Sequence, residues 1–431
     1  MGQMDVLAEA VRRSGARAGL EAVGIAAATE FSDTREVLER RKAQGLSAGM
    51  QFTYRNPTRS TDPARTLPGA KSLVVGALSY LRAPPERPAS PQHPGTPQHP
   101  GTPQHPGTPQ HPGTPQHSGT PQHAGTPQHA APPMLGDVAR YSRVDYYGQL
   151  RRALEVVADT LRAEGWATVV IVDDNALVDR AAAYRAGLGW WGKNTNILLP
   201  SAGSWFLLGS VVTDAPLPPG QPMEDSCGRC SRCQTACPTG ALAEAGALDA
   251  RRCLAWLLQA PGVFPRRYRA SLGARLYGCD ECQEACPVNR AASRRSPPPP
   301  AEENAQAYVD VVALLAQSDE ELLASFGRWY IPQLQPRYLR RNALIVLGNV
   351  GDPSDMRVAS AIRAALDDSD PLLRAHAVWA AGRLGLWHLL SVKKTDPDPL
   401  VRAELDALEA ADQRPSATAL PARSAPPISG I

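Results

Sequence analysis

Apolar residues along this chain fall into two periods and one gap. In residues 4–19 and 145–164 they recur three and four positions apart, which predicts amphipathic helices. Residues 72–80, 168–172 and 205–212 are short apolar runs, which predict strands. Helices and strands do not alternate strictly, so the pattern predicts an α+β domain and argues against a doubly wound sheet. Between Pro88 and Gly136 the periodicity stops. No formally charged residue occurs there, and a hexapeptide of the form GTPQHP recurs from Gly95 to His129.

The C-terminal third is helical throughout and repeats itself. Aligning residues 336–351 with 370–385 superimposes Leu339 on Leu373, Arg340 on Arg374, Ala343 on Ala377, Gly348 on Gly382 and Gly351 on Gly385. A shorter echo at 398–405 puts Arg402 at the arginine position. Asp-Pro opening a helix and Gly closing it match capping chemistry, and the period suits HEAT-like helical hairpins. Such repeats present a surface to a macromolecule or serve as a packing platform for the neighbouring domain; both readings stand at this point. Beyond residue 412 the chain is a Pro, Ala and Ser tail, expected to be disordered.

Composition refines this picture. The 431 residues include 42 prolines and eight cysteines, and such a length predicts two or three domains. No run approaches the ~20 apolar residues of a membrane span, and the N-terminus has no apolar signal region, so a cytoplasmic protein with no membrane partner is expected. The net charge of +3 is too small to imply a nucleic-acid partner by itself. Seven of the nine histidines lie in the repeat tract: His93, His99, His105, His111, His117, His123 and His129. That tract reads as an extended linker inserted into one domain, with a histidine-rich metal tract as the competing reading.

All eight cysteines fall between 227 and 286. Cys227, Cys230, Cys233 and Cys237 form CGRCSRCQTACP, while Cys279, Cys282 and Cys286 form CDECQEACP, with Cys253 between them. Two-residue spacings let three thiolates of one loop converge on a cubic cluster, and the cysteine before proline is carried towards a second cube. The expected partition assigns Cys227, Cys230, Cys233 and Cys286 to one [4Fe-4S] cluster. Cys279, Cys282, Cys237 and Cys253 hold the other. Zinc would not use the third cysteine of the first run, and disulfides require an oxidising compartment to which nothing directs this chain.

Clusters carry electrons and need an acceptor. Asp173 stands where the strand 168–172 ends, a place where a carboxyl group can face a cofactor cleft, with Asp174 and Asp179 as rivals. Gly187, Gly189 and Gly192 match GxGxxG but follow a helical run instead of a strand, so the dinucleotide fingerprint lacks its context. These glycines are expected to end a helix and let backbone approach something large, with Trp190 and Trp191 as walls.

The combination of these parts, in this order, resembles the epoxyqueuosine reductase family. The resemblance rests on residues 59–80, 172–194, 203–209, 225–242, 248–256, 275–289 and 341–349. It implies a nitroreductase-like cobalamin domain (1–88 and 134–220) split by an insert at 89–133. A two-[4Fe-4S] ferredoxin-like module (221–292), connecting helices (293–335), HEAT-like α-helical repeats (336–412) and the tail (413–431) then follow. It also implies reduction of epoxyqueuosine to queuosine at the wobble position of tRNA. Electrons would pass from a low-potential donor through the clusters to cobalamin, with Asp173 as proton donor and the protein a monomer. Cobalamin contacts would fall on or near Arg59, Arg143, Asn194, Ile197 and Leu208, besides Asp173. RNA contacts would come from Arg340, Arg341 and Asn342, and repeat arginines such as Arg374 would hold phosphates. No histidine lies in a DxHxxG motif, so none is expected to ligate cobalt from below. The alternatives are a reductive dehalogenase-like reductase, although Arg12 and Arg13 precede no apolar export run, and a non-catalytic electron-transfer subunit.

Overall fold

The computed structural model describes residues 2–88, 133–200, 202–224, 226–390 and 395–412. The chain divides into one compact unit, Met1–Pro85 with Met134–Ile431, and a second, Glu86–Pro133. Most of the expected insert, residues 89–132, and the expected tail, 413–431, lie outside the described residues.

The first part of the compact unit is built on a four-stranded antiparallel sheet. Its strands are β1 (Ala22–Ala27), β2 (Ser72–Ser79), β4 (Thr168–Val172) and β7 (Phe206–Thr213), in the order β1-β2-β7-β4. Every residue of β2 except the last is buried, because both faces of the sheet are covered. Val74 and Leu78 face helices α1 (Gln3–Arg17) and α4 (Tyr146–Arg162). Leu73, Val75 and Ala77 face a second cluster with Phe31 and Leu38, which flank and lie on α2 (Ser32–Ala43), and Ala182 of α5 (Asp179–Arg185). A short α3 (Pro57–Ser60) borders that side. Gly76 of β2 pairs with Gly209 of β7, and a Cβ on either would come within 2.9 Å of Leu154. The two glycines form the hollow in which that fully buried leucine of α4 sits.

Two smaller sheets follow. β3 (Leu135–Val138) lies between β8 (Arg275–Tyr277) and β9 (Tyr308–Asp310), and a two-residue hairpin pairs β5 (Trp190–Trp191) with β6 (Ile197–Leu198). The cysteine-bearing segment carries α6 (Arg232–Ala236), α7 (Leu254–Gln259), α8 (Arg266–Leu272), α9 (Glu281–Glu284) and α10 (Pro287–Arg295). Helices α11 (Val311–Ala316) and α12 (Asp319–Phe326) lead into α13 (Arg337–Val350), α14 (Met356–Leu366), α15 (Pro371–Arg383) and α16 (Pro399–Asp412).

The repeat reading has a physical basis. Asp370 and Asp398 accept hydrogen bonds of 2.8 Å from the amides of Leu372 and Leu400, capping α15 and α16 where Asp-Pro predicts. Equivalent glycines let helices meet: a Cβ on Gly348 would lie 2.7 Å from the Trp379 ring, and one on Gly382 2.6 Å from Leu408. One continuous core joins the repeats to the cysteine segment, running from Leu254, Leu257 and Phe264 through Leu344 and Leu347 to Trp379 and Leu408. The first repeat is therefore a packing platform for its neighbour.

This packing corrects the expected RNA contacts. Arg341 and Asn342 are fully buried and hydrogen-bonded to backbone of the cysteine segment, so they present nothing to an RNA. Arg340 bonds to Asp319 and to the Gln317 carbonyl, 2.7 Å away. Arg374 forks onto Asp396 at 2.9 and 3.1 Å and donates to the carbonyls of Asp368 and Ser369. Arg402, at the same repeat position, donates to the carbonyls of Asp396 and Pro397. The recurring arginine fastens each repeat helix to its neighbours: Arg340 and Arg402 to the segment before their helices, Arg374 to the loops on both sides of α15. No helix among the described residues is long and apolar enough to cross a membrane.

Replacing Leu154 with Ala empties the hollow made by Gly76 and Gly209 and is expected to lower stability by about 3 kcal/mol. Chemical denaturation followed by circular dichroism measures it; an unchanged midpoint would contradict this packing.

Candidate active site and metal centre

The cysteines separate into two neighbourhoods. Cys233 feels the charges of Cys286, Cys227 and Cys230, which with burial raise its pKa. Cys253 is raised by burial, opposed by the first-turn amides of Trp256 and Ala255, and raised again by Cys237. Burial pushes Cys279 up to about 12, with Cys253 adding to the rise, and Cys282 is raised first by burial and then by Cys279 and Cys253. Cys233 also acts on Cys282, so the two groups lie within electrostatic reach of each other. Thiols so placed resist ionising unless a cation joins them, which is the chemistry of iron ligation. Cys237 behaves differently: despite burial its pKa is lowered by amides of Thr239, Ala241 and Leu242, the Ala241 amide lying 3.2 Å from sulfur.

The sheet end of the site is built by the chain leaving β4. Asp173 takes the left-handed conformation (φ 53°), a strained geometry for a residue with a side chain. Arg151 holds the Val172 carbonyl at 3.0 Å, Asp174 accepts from the Ala176 amide at 2.8 Å, and Asn175 accepts from the Thr53 amide at 2.7 Å. Partial burial raises the pKa of Asp173 first, Asp174 raises it further, and Arg151 opposes them. Asp179 opens α5 with Oδ1 shut off from solvent and without a hydrogen-bond partner. Burial pushes its pKa up to about 8, Asp173 and Asp174 add to the rise, and Arg180 opposes it.

After α5, Gly187 (φ 70°) turns the chain, and a Cβ on Gly189 would strike the Leu198 carbonyl at 2.2 Å. The turn ends the helix and brings backbone close, and what the glycines approach is the protein itself: Gly187 the backbone of Gln221, Gly189 that of β6 and Gly192 the Asn194 side chain. Trp190 and Leu198 pack against Cys286, with Cys227 beside them, so the hairpin rests on two cysteines of the first set. Lys193 donates to the Gly228 carbonyl at 2.6 Å and ties the hairpin tip to the same loop. Two buried donors on this hairpin, Trp190 Nε1 and Asn194 Nδ2, have no partner. Orphaned buried donors are rare and costly, and they fit a hairpin that receives a polar group from a bound molecule.

The structure distributes the other expected contacts. Asn194 and Ile197 share the hairpin that touches the first cysteine set. Leu208 lies mid-strand on β7, partly buried on the side of the sheet that packs with Ile197. Arg59 is exposed on α3, which connects to the site through the Ser60 carbonyl, acceptor of the Val178 amide at 3.0 Å. Arg143 follows β3, its Nε donating to the Val138 carbonyl at 2.9 Å; burial first and then Arg140 lower its pKa, opposed by Asp280, which follows Cys279. The two described histidines, His376 and His388, both belong to the helical repeats.

Sequence reasoning missed two features. Arg180 interacts electrostatically with Asp179, Tyr80 and Cys253, so its charge acts on both a buried carboxyl and the second cysteine set. Its place directly after Asp179 was the available signal. The other is a buried network: Gln283 Nε2 donates to Tyr80 Oη and the Ser204 carbonyl at 3.0 Å, and the Ser204 amide donates to Asn289 Oδ1 at 2.7 Å. It bolts the CDECQEACP loop to the end of the sheet.

These features define a class: an iron–sulfur oxidoreductase in which a double-cluster module lies between an α+β domain and helical repeats. Residues 226–289 match the 4Fe-4S double cluster binding domain, and residues 330–409 match HEAT repeats. The chain is 30% identical over 370 residues to the epoxyqueuosine reductase of Bacillus cereus, covering 85% of this chain and 86% of that one. The enzyme of Vibrio cholerae is 28% identical, with 87% and 91% covered. Among solved structures, epoxyqueuosine reductase with an epoxyqueuosine-modified tRNA-Tyr stem loop superposes with a TM-score of 0.76 at 28% identity, covering 94% of this chain and 98% of the other. That from Streptococcus thermophilus gives 0.77 at 25%, with 94% and 99% covered. The chain belongs to the epoxyqueuosine reductase family.

Asp179 gives a stability prediction. A carboxyl whose folded pKa is raised holds its proton in the folded state after the unfolded state has lost it, so stability falls as pH rises between about 4 and about 8. Asp179→Asn carries no such charge. It is expected to raise the melting temperature of the cofactor-free protein at about pH 9 and to leave it nearly unchanged at about pH 4. Equal shifts at both values would refute a buried, proton-holding Asp179.

Proposed function

We propose that this chain reduces epoxyqueuosine to queuosine in tRNA, with a cobalamin held beside the β5–β6 hairpin and Asp173 as proton donor. The reaction removes the epoxide oxygen as water and consumes two electrons and two protons. The observation that carries the reading is the seating of the Trp190–Leu198 hairpin on Cys286 and Cys227, which sets cluster ligands directly behind a loop with unpaired buried donors.

Asn194, Ile197 and Leu208 would hold the corrin from the hairpin and sheet side, and Arg59 and Arg143 would contribute from its rim. When bound there, cobalamin supplies a reducible cobalt that accepts electrons originating in a low-potential donor and relayed by the clusters. The protein residues do the rest. Gln283, Ser204, Asn289 and Tyr80 keep the cluster loop fixed against the sheet end, so the electron path does not vary in length. Burial and Asp174 keep a larger share of Asp173 protonated than an ordinary carboxyl would be, as a proton donor requires. Asp179 and Arg180 set the charge behind it. The tRNA partner is supported by the stem-loop complex of the relative with the same fold. Arg341 is buried against backbone of the cysteine segment, so other cations would meet the phosphates.

Asp173→Asn is expected to abolish queuosine formation from epoxyqueuosine-containing tRNA while leaving iron content intact. In the parent enzyme turnover should fall as pH rises through the raised Asp173 pKa, because the protonated form is the active one. Mass spectrometry of the nucleosides after anaerobic reaction measures both, and queuosine formed by the Asn variant would place the donor elsewhere.

A further inference from the structure

Arg341 is the largest puzzle among the described side chains: a fully buried guanidinium with no carboxylate partner. Burial lowers its pKa to about 9. A buried charge persists only where its donors are satisfied, and here backbone oxygens do so. Nη1 donates to the carbonyls of Ala260 and Gly262 at 2.7 Å, Nη2 to those of Leu257 and Leu258 at 3.2 and 3.1 Å, and Nε to Asn342 Oδ1 at 3.1 Å. The carbonyls of Leu257, Leu258 and Ala260 are the free end of α7, which has no later turn to bond them, and that of Gly262 lies in the loop just after it. A cation there also complements the negative end of the helix.

The other end of α7 begins at Cys253, which forms its N-cap. The helix is only six residues long, so fixing its last carbonyls fixes the cysteine at its start. Asn342 extends the grip in a second direction. Its Nδ2 donates to the Leu258 carbonyl at 2.9 Å and to the Leu276 carbonyl at 3.4 Å. Leu276 is the middle residue of β8, and one glycine after that strand stands Cys279. Two adjacent residues of α13 thus hold the elements that deliver two cysteines separated by 26 positions in sequence.

We propose that Arg341 and Asn342 are positioning residues for the second [4Fe-4S] cluster, setting Cys253 and Cys279 in register from the first helical repeat. The repeats are then part of the cluster-binding structure as well as a platform beside it. Cys253 is the ligand that lies outside both cysteine runs, and without a local loop to place it, a neighbouring element must. The inference rests on the partition of cysteines given above, and its test includes a check of that partition.

The experiment reconstitutes full-length Arg341→Gln, Asn342→Ala, Arg374→Gln and Cys253→Ser proteins anaerobically and measures iron per chain with EPR of the reduced clusters. Arg341→Gln and Asn342→Ala should fall from about eight iron atoms towards about four, losing one of two EPR signals. Arg374→Gln, which breaks a comparable network inside the repeats, should lower the melting temperature yet keep both signals. That contrast separates positioning of the cluster from loss of stability. Asn342→Ala removes two backbone bonds and the side-chain oxygen that accepts from Arg341, but it leaves the guanidinium and its four backbone acceptors in place, so it remains informative if Arg341→Gln does not fold. Full iron and both signals in folded Asn342→Ala would overturn the proposal. A Cys253→Ser protein that keeps both clusters would instead overturn the ligand partition.

Discussion

Thiols drawn partly out of water resist becoming anions and repel one another once charged, and the cysteine segment is organised around this constraint. Burial comes first among the causes that raise Cys253, Cys279, Cys282 and Cys233, and neighbouring sulfurs add to it. Iron removes the penalty by replacing protons, but the ligands must be near their places before it arrives. The scaffold therefore has to hold short, irregular backbone without help from the cluster. It does so with polar side chains that cross the module's borders: Gln283 reaches out to Tyr80 and Ser204 at the sheet, and Arg341 and Asn342 reach in from the repeats.

The opposite requirement governs the α+β domain. A sheet covered on both faces, with Leu154 filling the space left by Gly76 and Gly209, gives a rigid floor. From its edge emerge segments that are locally unfavourable: Asp173 with positive φ, Asp179 with an unpaired buried oxygen, and Trp190 and Asn194 with unpaired donors. Each such group costs about 1–3 kcal/mol when left without a partner. Their concentration along one continuous stretch of chain, 173–194, marks where the protein gives up stability so that a bound molecule can complete it.

Much of this was legible in the sequence because the signals are local. Cysteine spacing names its chemistry whatever the surroundings, since the geometry of a cubic cluster dictates it. The strand TVVIV ran from 168 to 172 as the apolar run indicated, and Asp370 capped its helix because an Asp-Pro pair does so from within its own turn. Arg180, in contrast, had only its place beside Asp179 as a local sign. Its significance comes from a charge that acts on Asp179, Tyr80 and Cys253, which lie in separate parts of the chain.

The sequence by itself determined the element types, the double-cluster character of the cysteine segment and the helical repeat, all of which show in residues a few positions apart. Only the tertiary structure decided what the arginines of that repeat do. A guanidinium offers the same fork of donors to a phosphate, a carboxylate or a helix end, so its sequence cannot distinguish them. Arg341 became an internal tie instead of an RNA contact because α13 packs onto the free carbonyls of α7, some 80 residues earlier in the chain. That choice belongs to long-range packing, which alone determines which acceptors a buried cation meets.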